Sequence, residues 1–266
     1  MDNVEFFLEK FSSVYPYSHC VWRIDEAAAL ADNLPFKGVT FDLGCGDGSY
    51  MKIMLERVGK PERLIGLDPQ AHEVAKAKKL GIYDELIVGY SNAIPLQDAS
   101  VDMVFSNSVV EHIADKAGTI KEAARILKPG GTYLFSAPSQ NFTPWLKFGK
   151  WGSKETWLNR MWTGAINGKF IHHWLQSPET WEKDLKEHGL ELVKARYTLT
   201  SENLGEWERW LIPSYLQHLP AKRFGWVPFS GIFKRRLQKR LPKLHEPEDL
   251  AAGGNVIILA KKTITE

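Results

Sequence analysis

The chain has two cysteines, Cys20 and Cys45, in 266 residues. So few thiols exclude a disulfide framework and a cysteine-built zinc site, and no metal site is expected. No apolar run approaches the roughly 20 residues that a bilayer span needs. Met1–Glu5 lacks the basic start and long apolar core of a secretion signal, so a cytoplasmic setting is expected, with room for a peripheral membrane contact. The net charge is only +2, which gives nucleic-acid binding little support. Two local absences are sharper. None of the ten tryptophans falls between residues 23 and 144, and none of the acids falls between 209 and 245.

What is present begins with alternation. Strands are expected at 39–43, 63–67, 85–89, 101–106 and 131–136, and helices at 48–58, 71–80 and 115–128. The stripe Ile113, Ala117, Ile120, Ala124 and Leu127 carries the last of these, and Lys128-Pro129-Gly130-Gly131 stops it. Ser177-Pro178 then reads as a helix start, 190–199 as a strand, and Val256–Ala260 as a buried strand. Strands this apolar, alternating with helices, imply a Rossmann-like α/β fold: a seven-stranded, mostly parallel sheet with helices on both faces. Residues 35–137, 177–200 and 253–266 form this core. Residues 1–34 form a helical N-terminal cap, broken at Tyr15-Pro16-Tyr17. Residues 138–176 and 201–252 are aromatic, basic insertions.

Phe41-Asp42-Leu43-Gly44-Cys45-Gly46-Asp47-Gly48 joins the first core strand to a helix. Glycines let the chain turn with positive φ and let a ligand approach, and the helix N-terminus favours ligand binding. The spacing is not the dinucleotide G-x-G-x-x-G, because the third glycine comes one residue early. Asp42 would repel a pyrophosphate and suits a cationic group instead. Asp68, at the end of the next strand, is placed to accept ribose hydroxyls. A ribose together with a cation fits S-adenosyl-L-methionine, and counts against a nicotinamide-dependent oxidoreductase.

Three further segments complete a pattern: Ile65-Gly66-Leu67-Asp68, Phe105–Ile113 with its Glu111-His112, and Arg125–Gly131. With all four in order, the chain resembles a class I S-adenosylmethionine-dependent methyltransferase of the type 11, ubiquinone/menaquinone-biosynthesis-like group. The likeness covers about 39–137, with 178–199 and 256–261 supplying the last helix and strands. It implies that Gly44, Cys45, Gly46 and Gly48 border the methionine part of the cofactor and that Asp42 holds its ammonium. It implies that Asp68 takes the ribose and that Ser91 and Asn92 border the adenine. Ser106 and Asn107 then face the methionine or the acceptor. Many relatives carry an acid directly after the residue equivalent to Gly89. Here that residue is Tyr90, so either Ser91 or Asn92 reads the adenine or the tyrosine stacks on it.

Methyl transfer to oxygen or carbon usually needs a base, and these atoms are expected ahead of nitrogen. Candidate bases are His173 and His172, at the end of the first insertion, and His112, which also reads as a turn-fixing residue. Tyr17, Trp22 and Trp174 are expected on the acceptor side. The acceptor is a small or lipid-like molecule. Residues 209–245 carry nine Lys or Arg interleaved with Trp, Tyr and Phe. This suits a cover over the sheet end, a lipid-facing surface or a pocket for an anionic acceptor. The competing function is a protein that keeps the cofactor site without catalysis and docks on a membrane or a partner.

Overall fold

Hydrophobic periodicity dictates the element order. The computed structural model describes residues 1–148, 150, 154–224, 227–244 and 250–264. The side chains of Tyr215, Lys222, Arg223, Phe224 and Lys243 lie outside that description. So do Trp151, Trp226, Glu246, Glu248 and Asp249. Helices α1 (Asn3–Val14) and α2 (Tyr17–Ala31) flank Tyr15-Pro16. There follow β1 (Val39–Leu43), α3 (Ser49–Val58), β2 (Arg63–Asp68), α4 (Ala71–Leu80), β3 (Glu85–Val88) and β4 (Val101–Asn107). Then come α5 (Lys116–Ile126), β5 (Leu127–Pro138), α6 (Phe142–Trp145), α7 (Trp157–Phe170) and α8 (Pro178–Lys186). The chain continues through β6 (Leu190–Thr198), α9 (Ser201–Phe224), α10 (Ser230–Leu244) and β7 (Asn255–Lys262).

The strands form one seven-stranded sheet in the order β3-β2-β1-β4-β5-β7-β6. The pairings β3–β2, β2–β1, β1–β4 and β4–β5 are parallel. The chain runs outward from β1 to β3 and then returns to β4 on the other side of β1. The strand order therefore reverses between β1 and β4. In open α/β sheets that reversal leaves a crevice at the carboxyl ends of the strands, where ligands bind. Central strands are buried on both faces, with Phe41, Leu67, Val104, Phe105 and Phe135 closed to solvent.

Two local expectations change. Helix α5 starts at Lys116, capped by the Asp115 carboxylate, which accepts from Gly118 N. Ala117 is therefore exposed in the first turn, and the buried face is Thr119, Ile120, Ala123 and Ala124. Strand β5 starts at Leu127, before the glycines. Val101 pairs with Leu127 and Met103 with Thr132, so Lys128–Gly131 loop out within the strand.

By contacts the chain divides into two compact units. One comprises Met1–Ala29, Ser139–His172 and Arg196–Asn255; the other comprises Leu30–Pro138, His173–Ala195 and Val256–Glu266. The first unit is helical and ring-packed. Trp22 and Trp207 both meet Phe142, and Tyr17 meets Trp210 and Phe233. The second unit is built on the sheet.

Candidate functional site

The glycine turn after β1 does three different jobs. Gly44, Gly46 and Gly48 have φ of 78°, 53° and 76°, a conformation that side chains resist. A Cβ at Gly44 would lie 2.5 Å from both methyls of Val109. At Gly48 it would press on Tyr83, Leu80 and Ala77, so this glycine serves the packing of α3 on α4. At Gly46 it would meet nothing within 4 Å. Gly46 thus leaves open space beside the backbone.

The turn is locked to the end of β2. Gly44 N and Cys45 N both donate to Leu67 O, at 2.8 and 3.0 Å. The Asp68 carboxylate accepts from Gly46 N at 3.1 Å and from Gln70 N at 2.8 Å. One carboxylate therefore holds the turns after β1 and β2 together. A carboxylate has about four acceptor positions, so two bonds leave it able to accept more.

Asp68 borders a cleft of about 520 Å³, within the usual range of small-molecule sites. Leu43, Gly44, Leu67 and Val109 supply its apolar wall. Gln70, Ser91, Asn92, His112 and Asp115 supply polar groups, and the exposed ring of Tyr90 lies on its margin. The loop after β3 is tied to α5 across this cleft. Ser91 Oγ lies 2.7 Å from Thr119 Oγ1, and Asn92 Nδ2 donates to Asp115 Oδ2 at 2.9 Å.

Other expected site residues lie off the cleft. Asp42 is buried and accepts from the Tyr83 hydroxyl at 2.6 Å. Burial pushes its carboxyl up to about 7, against the Tyr83 bond and with help from the neighbouring Asp68 charge. Cys45 is buried, and burial together with Asp42 and Asp68 raises its thiol, so it is no nucleophile. Ser106 is fully buried and donates to Leu43 O at 3.0 Å, bracing β4 against β1. Asn107 Nδ2 donates to Ser136 Oγ at 2.8 Å.

Among the three candidate bases, His112 lines the cleft. It ends a 3-10 turn, Val110–His112, and its Nε2 is 3.6 Å from Oε1 of the buried Glu111. His173 is exposed, with its backbone N donating to Glu111 O. His172 belongs to the helical unit and packs on Phe142 and Phe170. Neither lines the cleft. Trp174 does not line the cleft but holds a residue that does: its Nε1 donates to Ile113 O at 2.8 Å, and Lys116 Nζ sits 4.4 Å from its ring.

Tyr17 and Trp22 are packing residues of the helical unit. The Tyr17 hydroxyl donates to Glu206 at 2.8 Å and accepts from Arg236. Trp22 lies between Phe142 and Trp207. The Tyr17 ring is buried and the Trp22 ring half-buried, and neither lines the cleft. Sequence reasoning missed Gln70, Val109 and Asp115. Asp115 carried a signal, since an aspartate directly before a helix is a cap.

The family defined as a methyltransferase domain matches residues 41–135. Malonyl-[acyl-carrier protein] O-methyltransferase of Yersinia pestis is 37% identical over 98 residues, 37% of this chain and 36% of that protein. Dimethylglycine N-methyltransferase of Parasynechococcus marenigrum is 30% identical over 113 residues, 41% of this chain and 40% of that one. The matches thus span less than half the length of these curated relatives. The crystal structure of geranyl diphosphate C-methyltransferase from Streptomyces coelicolor shares the fold. Its TM-score is 0.56 at 19% identity, over 90% of this chain and 77% of that one. S-adenosylmethionine is the cofactor of this family, and the groups present fit it: open space beside Gly46, an acceptor carboxylate at Asp68 and an exposed ring at Tyr90. Residues 41–135 match the methyltransferase-domain family, and the four motifs and the strand order agree with the class I S-adenosylmethionine-dependent group that the sequence resembles.

Proposed function

We propose that the chain transfers a methyl group from S-adenosylmethionine to a small or lipid-like acceptor, and that it meets a lipid-like acceptor as a peripheral membrane protein. The observation that carries the reading is Asp68, whose carboxylate joins two strand-end turns and borders the cleft where the strand order reverses. Bound there, the cofactor supplies an electrophilic methyl on a sulfonium.

The chain's own residues then bind, orient and deprotonate. Asp68 accepts the ribose hydroxyls with its remaining lone pairs. Gly44 and Gly46 leave room for the methionine part, and Ser91, Asn92 and Tyr90 border the adenine. Asp42 lies behind the turn, where a bound ammonium would favour its charged form. His112 is the candidate base, with Glu111 positioned to stabilise the imidazolium. A base suits an oxygen or carbon acceptor, whose proton must leave. The sequence relatives act on both oxygen and nitrogen by name, so the shared region does not set the acceptor atom.

Calorimetry of the full chain with S-adenosylmethionine and S-adenosylhomocysteine tests the reading. Asp68→Asn keeps the shape and removes the charge. It should weaken binding about 10- to 150-fold, because a hydrogen bond to a charged group contributes about 1.5–3 kcal/mol. Equal affinity for both proteins, or no binding by the folded wild type, defeats the assignment.

A further inference from the structure

Of the nine cations between Arg209 and His245, the six whose side chains are described fall into two classes that the sequence does not separate. Arg236 donates to Glu206 at 2.8 Å, Arg240 approaches Glu202 and Glu206, Arg209 meets Glu206, and Lys234 meets Glu9. These four are paired: Lys234, Arg236 and Arg240 tie α10 to α1 and α9, and Arg209 pairs within α9. Arg235 and Lys239 are exposed, and among the described residues neither has a carboxylate partner. They lie four residues apart, on one outward face of α10.

The same contacts fix how α9 and α10 run. Arg236 meets Glu206, Phe233 meets Trp210 at 5.3 Å, and Gln217 Nε2 donates to Pro228 O at 2.8 Å. The helices are antiparallel, and this register brings Phe229 and Ile232 level with Ile212 and Leu216. All four side chains are exposed by 66–75%. Among the described residues, this part of the helix pair therefore exposes four large apolar side chains, and Arg235 and Lys239 follow Ile232 along one face of α10.

Phe229 adds an independent observation. Its φ is 59°, left-handed backbone that a bulky residue resists. Its carbonyl accepts from Ile232 N and Phe233 N at the start of α10. A glycine would fill that turn without strain. The chain instead holds a phenyl ring there, pointing to solvent.

We propose that this part of the α9–α10 pair docks on an anionic membrane surface. Ile212, Leu216, Phe229 and Ile232 enter the headgroup boundary, and Arg235 and Lys239 meet the lipid phosphates. Exposed aliphatic and aromatic groups beside cations that have no carboxylate partner among the described residues match what an interfacial element needs. A second copy of this chain is the poorer occupant, since a symmetric contact would bring the acid-free stretch against itself. None of these residues lines the cleft, so the test is run independently of cofactor binding.

The test is co-sedimentation of the full chain with vesicles of phosphatidylcholine, alone or with about one third phosphatidylglycerol, without cofactor. The wild type should bind the anionic vesicles, bind the neutral ones far less, and release in high salt. Arg235→Glu with Lys239→Glu should weaken binding at least about tenfold, since each cation near an anionic surface contributes severalfold, while Lys76→Glu on α4 should leave it unchanged. Phe229→Gly should raise the melting temperature and still weaken binding, a combination that misfolding cannot give. Three results overturn the proposal: equal partitioning to both vesicle types, no loss in the double variant, or a dimer abolished by Leu216→Ser in a chain that binds no vesicles.

Discussion

At the scale of single residues, the glycine turn separates conformation from space. Gly44→Ala places a methyl on left-handed backbone and against Val109. Strain of about 1–2 kcal/mol and overpacking of about 1–3 kcal/mol should combine. Gly46→Ala carries the strain alone, because nothing stands within 4 Å of its Cβ. Denaturant titration should therefore find Gly44→Ala the less stable, whereas Gly46→Ala should lose cofactor affinity out of proportion to its stability. Asp42 gives a pH prediction. Its carboxyl is pushed from 3.8 up to about 7 by burial. Between those values the folded chain keeps a proton that the unfolded chain has released. The unfolded state then binds fewer protons, so stability falls as pH rises across the window and levels off above it. Asp42→Asn removes this titration while still offering an acceptor to Tyr83. Its melting temperature should match the wild type near pH 4 and exceed it at pH 8. Parallel curves for the two proteins would show that Asp42 is not held protonated.

At the scale of elements, one buried carboxylate organises the helical unit. Glu206 on α9 accepts from Tyr17 on α2 and from Arg236 on α10, with Arg209 and Arg240 close by. Burial works to raise its pKa, but the bonds from Tyr17 and Arg236 and the charges of Arg240 and Arg236 hold it below the usual range. Glu206→Gln leaves Arg236 without its ion-pair partner, but water reaches that guanidinium, which is 42% exposed, so the cost should be about 1.5–3 kcal/mol, that of hydrogen bonds to a charged group. Arg209→Ala, at the solvent side of the same network, should cost no more than about 1 kcal/mol. Chemical denaturation reads both, and equal losses would contradict a buried hub. Little of this was legible in the sequence. The acid-free stretch advertised cations, but of the acids that answer them, Glu202 and Glu206 lie just before it and Glu9 lies 225 residues from its partner Lys234. Nothing local revealed that Tyr17 is buried against Trp210 and Phe233. Elements set by short-range pattern were readable: 71–80 and 39–43 match α4 and β1, because apolar spacing and the glycines at their ends decide them locally.

At the scale of the whole molecule, motif spacing revealed the sheet side of the cleft, because Gly44, Asp68, Ser91 and Asn92 sit at successive strand ends and any parallel sheet brings such ends together. The opposite wall was less legible. His112 and Asp115 follow β4, and their place depends on the 3-10 turn at Val110–His112 and on the cap of α5, details that propensity does not set. This division predicts where a bound cofactor is felt. Ligand binding stabilises the state that holds it by RT ln(1 + [L]/Kd), about 2.7 kcal/mol at a hundredfold excess over Kd. The cleft is lined from the sheet-based unit alone. Hydrogen exchange with S-adenosylmethionine should therefore slow at amides in 44–49, 66–70, 90–92 and 109–115, by up to about a hundredfold where exchange needs opening of that unit. Amides of α9 and α10 belong to the other unit and should exchange at an unchanged rate. Slowing spread evenly over both units would mean that they open together, and that the cleft is not the cofactor's only source of stabilisation.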